Sequence, residues 1–206
     1  MKERIWMVVL LLIITSISSG ALGVINIKTR PLIEKNKVLK LKESVLNALH
    51  IPYQHKNMEG VFEEEVKTLF LEDIPLYLHY PNQGKLEAVA FKIEGSGFWA
   101  PISAIIALKP DLETIYGVAV LEQGETPGLG ARITEPGFLN RFVGKKIKPE
   151  ILLVSRRKAK GDNEVDAITG ATMTSKSLEE IINNEVKKYR DAIIASKIMG
   201  ETTHES

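Results

Sequence analysis

Two short stretches combine hydroxyls, acids and glycines at spacings that support chemistry. The first is Asp166-Ala167-Ile168-Thr169-Gly170-Ala171-Thr172-Met173-Thr174-Ser175, placed where a short β run stops and the last helix begins. Gly170 permits a sharp turn, and a helix start offers unpaired N–H groups with the positive end of the helix dipole, the parts of a phosphate site. Neither GxxxxGK[ST] nor GxGxxG occurs here. The competing reading is a plain helix cap, since Thr and Ser before a helix usually serve so, and Ser177 and Glu180 have capping-box spacing. On local pattern alone the cap is favoured. The second stretch is Gln123-Gly124-Glu125-Thr126-Pro127-Gly128-Leu129-Gly130-Ala131-Arg132. Its glycines and proline define a loop shaped by its backbone, able to lie flat against a planar ligand; alone, it reads as an ordinary connection between strands.

Other chemistries are excluded by composition. With no cysteine in 206 residues, disulfides, thiolate zinc sites, Cys-ligated clusters and Cys nucleophiles are absent. His50, His55, His79 and His204 are scattered without metal-ligand spacing. No nicotinamide fingerprint, Ser-His-Asp constellation or spaced carboxylate pair is visible, so redox chemistry here requires an organic cofactor and electron partners elsewhere. The formal net charge of +1 lacks the basic surplus that nucleic-acid binding demands. Glu63-Glu64-Glu65 and Arg156-Arg157-Lys158-Lys160 read as solvated charge runs, with partner docking as the rival reading of the basic one.

These stretches need a scaffold. Ile5 to Ile27 carries no Asp, Glu, Lys or Arg, a run long enough to cross a bilayer core of about 30 Å at ~1.5 Å per residue. The rival is a cleaved signal peptide; the expectation is a retained single-pass anchor. Ser16, Ser19, Gly20 and Gly23 form small-xxx-small pairs that suit close helix packing in lipid. Lys2 and Arg4 precede the run, while Lys28, Arg30, Lys35, Lys37, Lys40 and Lys42 follow it, so the positive-inside rule alone places the following domain in the cytoplasm. Beyond Pro31, Leu32–Leu49 reads as an amphipathic helix ended by Pro52. Strands are expected at 76–80, 86–93, 102–108 and 115–121, with a turn at Pro81-Asn82-Gln83-Gly84 and a short helical turn from Glu135 through Phe142. Residues 151–154 and 165–168 read as a hairpin around a charged loop, and 175–196 as a closing helix. The organisation expected is a leader (1–4), a transmembrane helix (5–27), a juxtamembrane helix (28–50) and one domain (51–206), of α+β class with an antiparallel or mixed sheet.

Taken together the two glycine-bearing stretches resemble the flavin-binding subunits of the Rnf and Na⁺-translocating NADH:quinone reductase complexes. That family carries FMN on the final threonine of Asp-x-x-[Ser/Thr]-Gly-Ala-Thr, matched here by Asp166, Thr169, Gly170, Ala171 and Thr172, and shares the loop Glu125-Thr126-Pro127-Gly128-Leu129-Gly130. Gly95-Ser96-Gly97-Phe98-Trp99 and the single N-terminal span extend the resemblance over nearly the whole chain. The short length and Arg30-Pro31-Leu32-Ile33 look most like the G subunit of Rnf, while Phe98-Trp99 looks more like the C subunit of the quinone reductase; the G subunit of Rnf is the favoured expectation.

The resemblance implies a membrane-anchored electron-transfer subunit of an ion-translocating ferredoxin:NAD⁺ oxidoreductase, with no complete active site of its own. FMN would be held as a phosphoester on Thr172, installed by a separate flavin transferase. Asp166 and Thr169 would serve transferase recognition and the local turn. The Glu125–Gly130 backbone would wall the ring, with Thr126 at its edge, Leu129 on a face and Trp99 as aromatic neighbour. The family implies other membrane subunits as partners and a domain on the outer face of the cell membrane, against the charge count. The alternatives are the C subunit of the quinone reductase, a stand-alone anchored FMN reductase, and a non-redox binding module in which the motif is merely a cap.

Overall fold

The computed structural model describes residues 2–81 and 84–196; Asn82 and Gln83 of the expected turn, and His204, lie outside the described residues. The chain divides into two units between Lys40 and Leu41. The described residues of the first all belong to helix α1 (Lys2–Ala48). It contains an 18-residue window of mean hydropathy 2.4, none of it buried, long and apolar enough to cross a membrane. Thr15 and Thr29 donate their hydroxyls to the carbonyls of Leu11 and Ile25, each at 2.9 Å, which satisfies these polar groups within the helix itself. Pro31 lies inside α1, so the helix expected to begin at Leu32 is continuous with the apolar one. A proline removes one backbone donor, and good helix formers on both sides carry the helix across that loss.

In the second unit, helix α2 (Met58–Glu65) leads into a five-stranded antiparallel sheet in sequential order: β1 (Val66–Leu71), β2 (Ile74–His79), β3 (Ala88–Ser96), β4 (Pro101–Leu108) and β5 (Ile115–Glu122). The expected strands correspond to β2 through β5. Helix α2 and strand β1 were not anticipated. The glutamate run closes α2, which buries only Met58 and Phe62, and β1 is a sheet edge whose burial does not alternate cleanly. Strand β4 is buried from Ile102 to Leu108. Since successive side chains point to opposite faces, both faces of the sheet are covered there.

Helix α4 (Thr172–Ala195) packs on β3, burying Leu178, Ile181, Ile182, Val186 and Ile193. Phe91 of β3 and Tyr189 of α4 meet at 4.8 Å between ring centroids. Gly95 allows the close approach: a Cβ there would lie 2.6 Å from Cγ1 of Ile181. The helix begins at Thr172 rather than Ser175, which places Ser177 and Glu180 inside it and removes the capping-box reading.

The expected hairpin is also corrected. Strands β6 (Leu152–Val154) and β7 (Glu164–Asp166) pair in parallel, Leu152 opposite Glu164 and Val154 opposite Asp166. The charged connection folds back on itself. Glu164 accepts from the Arg157 guanidinium and from the N–H groups of Lys160 and Gly161, and Asp166 Oδ1 accepts from Ala159 N at 2.6 Å. The chain is thereby returned to run alongside β6 in the same direction. Helix α4 holds the pair, Glu179 Oε2 accepting from Leu153 N at 2.6 Å and Asn183 bonding both backbone groups of Ile151. Between β5 and β6, the loop residues Gly130–Thr134 form a 3-10 turn, followed by the short helix α3 (Pro136–Leu139) and a turn through Phe142, matching the expected helical turn.

Candidate functional site

The two stretches that stood out in the sequence meet at one cleft. It has a volume of about 320 Å³ and is lined by Phe98, Trp99, Glu125, Thr126, Leu129, Gly130, Gly170, Ala171, Thr172, Met173 and Thr174. Three connections supply these residues: the β3–β4 turn, the loop after β5, and the turn into α4. The turn into α4 and the loop after β5 lie close together, a Cβ built on Gly170 falling 3.7 Å from Cδ2 of Leu129.

The α4 end of the cleft carries the polar features. Gly170 has φ +82°, in the left-handed region that favours glycine, and the turn it makes closes with Ala171 N donating to Ile168 O at 3.0 Å. Ser175 N is the first to find an intrahelical acceptor, Ala171 O at 3.0 Å. Ala171 occupies the cap position without a side-chain cap bond, so the cap reading of this threonine-rich start does not hold. The first N–H groups of α4, from Thr172 onward, thus lack helical acceptors and carry the positive end of the dipole.

The hydroxyls around this turn differ sharply in availability. Ser175 Oγ accepts from Ile168 N at 3.1 Å and donates to Ala171 O at 2.9 Å, fully buried. Thr174, only 3% exposed, donates to Glu125 Oε2 at 2.7 Å. Thr172 is exposed and lines the cleft. Thr169 is exposed but does not line it.

The opposite rim is apolar. Trp99 is 71% exposed and Phe98 is exposed beside it, the two rings meeting edge-to-face with centroids 5.6 Å apart; Leu129, and Met173 at the α4 end, are exposed lining residues as well. Tryptophan usually buries its large ring, so this exposure is informative. The Thr126–Leu129 turn has proline at its second position and Gly128 at φ +75° at its third, with Leu129 N donating to Thr126 O at 3.2 Å, the type II pattern. Below it sits Glu125, 4% exposed. Burial opposes its ionisation, but N–H donors from Trp99, Ala100 and Phe98 and the Thr174 hydroxyl outweigh that and hold its carboxyl below the ordinary value.

Of the residues singled out beforehand, Trp99, Glu125, Thr126, Leu129, Gly130, Gly170, Ala171 and Thr172 line the cleft, and Asp166, Thr169, Pro127 and Gly128 do not. Asp166 faces the 156–164 connection, where its carboxylate binds Ala159 N and its carbonyl accepts from Arg141 Nη1. Pro127 and Gly128 shape the turn. Sequence reasoning missed Phe98, Met173 and Thr174 as lining residues; Met173 and Thr174 follow from the helix starting at Thr172. Among the described residues no cluster of His, Asp or Glu could hold a metal ion.

Residues 97–187 match the family model described as FMN-binding domain, a span that includes every residue lining the cleft. Among curated proteins, the chain is similar to the C subunit of Na⁺-translocating NADH-quinone reductase from Haemophilus ducreyi, 37% identical over 109 residues that cover 50% of this chain and 42% of that protein. The same protein from Neisseria meningitidis is 38% identical over 109 residues, again with 50% and 42% covered. The chain thus spans less than half the length of these relatives. The crystal structure of Shewanella oneidensis NqrC superposes with a TM-score of 0.67 at 25% identity, covering 75% of this chain and 99% of that one. The crystal structure of the C subunit of Na⁺-translocating NADH-quinone reductase from Parabacteroides distasonis gives 0.70 at 26% identity, covering 80% and 96%. The α+β fold, with an antiparallel sheet following a long apolar helix, agrees with these structures, and the FMN-binding match makes FMN the ligand class to test against the cleft.

Proposed function

We propose that this chain is a membrane-anchored electron-transfer subunit that carries FMN covalently, as a phosphoester on Thr172, within an ion-translocating redox complex of the Rnf type. The single observation that carries the reading is the cleft itself, where an exposed threonine at an uncapped helix start faces an apolar, tryptophan-bearing rim. The residues fit the cofactor at both ends. The unpaired N–H groups of the first α4 turn suit the negatively charged phosphodiester of such a linkage, and Phe98, Trp99, Leu129 and Met173 offer the apolar area that a planar ring requires. Bound FMN would supply reversible uptake and release of electrons, which none of the side chains here can provide. The protein's part is to hold, orient and shield. Thr172 is an acceptor rather than a catalyst, and its selection over Thr174 and Ser175 follows from their engaged, buried hydroxyls. Attachment joins its Oγ to the FMN phosphorus with net loss of one water, a step assigned to a separate flavin transferase.

The anchor is α1, and the family resemblance supports an outer-face domain against the charge count. A second reading, the C subunit of a Na⁺-translocating NADH:quinone reductase, is favoured by the identities to that protein, whereas Arg30-Pro31-Leu32-Ile33 supports the G subunit of Rnf. Mass spectrometry of the tryptic peptide Gly161–Lys176 from native membranes tests the modification. Added mass of FMN less one water, localised to Thr172, is the expected result, and an unmodified peptide would sink the reading. Co-purification with a ferredoxin-binding iron–sulfur partner supports the Rnf assignment; recovery with the other components of a quinone reductase supports the second.

A further inference from the structure

We propose that Glu125 is a positioning residue: its carboxylate fastens the Phe98–Ala100 turn to the first turn of α4, sets Trp99 at the mouth of the cleft, and leaves a fixed negative charge beneath it. The charge effect rests on the reading that the cleft holds a flavin; the clamp does not. Oε1 accepts from Trp99 N at 2.9 Å and Ala100 N at 3.4 Å, while Oε2 accepts from Thr174 Oγ1 at 2.7 Å. One side chain thereby joins three segments that are remote in sequence.

The surrounding glycines are placed to admit it. A Cβ at Gly97 would lie 2.4 Å from the Ala100 carbonyl oxygen and 2.5 Å from Oε1 of Glu125, and one at Gly130 would lie 2.5 Å from Thr174 Oγ1 and 2.9 Å from Oε2. A Cβ at Gly124 would meet the Cβ of Ala100 at 2.7 Å. These glycines make room for the carboxylate and the turn it holds, rather than for a flat ligand, which reassigns the role their spacing suggested. Gly128 and Gly170, at positive φ, serve the backbone instead.

No cation pairs with Glu125 among the described residues; its partners are N–H and O–H groups. At 4% exposure its charge is weakly screened by water. Adding electrons to a group in the cleft builds negative charge close to it. The carboxylate therefore favours the oxidised form of that group and lowers its midpoint potential.

The chain contains two tryptophans, Trp6 and Trp99, so Trp6→Phe makes Trp99 the only reporter. The full chain in detergent, prepared in a host without flavin transferase, gives the first readout: tryptophan fluorescence anisotropy and the near-UV circular dichroism band. Glu125→Ala should lower the anisotropy and flatten the band while far-UV dichroism is kept. Glu125→Gln removes the charge but keeps one oxygen to accept from Trp99 N and Ala100 N, and its amide NH2 can donate to the Thr174 hydroxyl in place of the bond now accepted there, so it should retain both signals. In flavin-loaded protein Glu125→Gln should move the midpoint potential to a more positive value. A folded Glu125→Ala chain with wild-type Trp99 signals overturns the clamp; an unmoved potential in loaded Glu125→Gln overturns the charge effect. Should Glu125→Ala not fold, Glu125→Asp shortens the side chain by one methylene, so that its carboxylate no longer spans from Trp99 N to Thr174 Oγ1 and must release Trp99 in the same way, and wild-type signals there overturn the clamp. Failure of the wild-type chain to carry flavin removes the charge effect together with the reading beneath it, while the flavin-free Trp99 measurement still decides the clamp.

Discussion

At the residue scale the site separates groups that are available from groups that are spoken for. Thr172→Ala should abolish covalent flavin while costing no more than about 1 kcal/mol, the scale of a helix-start hydroxyl, as read by peptide mass and urea unfolding. Thr174→Ala should do the reverse. It leaves the adduct on Thr172 but removes a donor from the buried Glu125 carboxylate, at a cost of about 1–3 kcal/mol. Gly170→Ala meets no steric obstacle nearer than 3.7 Å, so its penalty is conformational. With φ at +82° a loss of roughly 1–2 kcal/mol is expected, measurable as a lower urea midpoint.

At the element scale the cleft depends on how closely α4 approaches the sheet. Gly95→Ala forces a methyl against Ile181, and a shift of α4 away from β3 should cost about 1–3 kcal/mol. Because Thr172 and Thr174 ride on the same helix, the substitution should also reduce flavin loading. The β4–β5 connection supplies a pH test. Asp111 is desolvated, which opposes ionisation, but the Thr114 hydroxyl, the N–H groups of Glu113 and Thr114, and the Lys146 ammonium hold its carboxyl down to about 2 from an ordinary 3.8. A folded-state value below the unfolded one means its contribution is full above 3.8 and is lost as pH falls from there toward about 2. Asp111→Asn should therefore lower stability at neutral pH and flatten the acid limb of a urea-midpoint profile.

At the scale of the whole molecule, the two units make separable demands. The apolar window of α1 has no buried residue and so needs lipid or another apolar partner. The second unit holds its own core, from Leu46 through Phe91 and Ile105 to Ile182. Full-length chain should resist alkaline carbonate extraction of membranes, and a chain beginning at Leu41 should be soluble, with helix and sheet signals intact by circular dichroism. Recovery of the full chain in the carbonate supernatant would count against α1 as an anchor. Protease accessibility of the domain in sealed right-side-out vesicles reports the side on which it lies.

What the sequence determined by itself was local or periodic. The uncharged run Ile5–Ile27, the alternating and apolar strands from residue 76 to 122, and the apolar stripe of α4 were legible because each is written in neighbouring residues. Gly170 likewise marked a sharp turn, which the structure makes at positive φ. Strand β1, the unbroken passage of α1 through Pro31 and the parallel pairing of β6 with β7 were not legible, each for its own reason: an edge strand without clean alternation, a proline that flanking helix carries across, and carboxylates that reel in a connection. The site was half legible. Three stretches supplied its residue types, but only tertiary structure brought them to one cleft, exposed Trp99 and Thr172, and buried Thr174 and Ser175. It also decided what the glycines are for. Gly97 and Gly130 come from separate motifs, and nothing in either declares that both leave space for the same carboxylate.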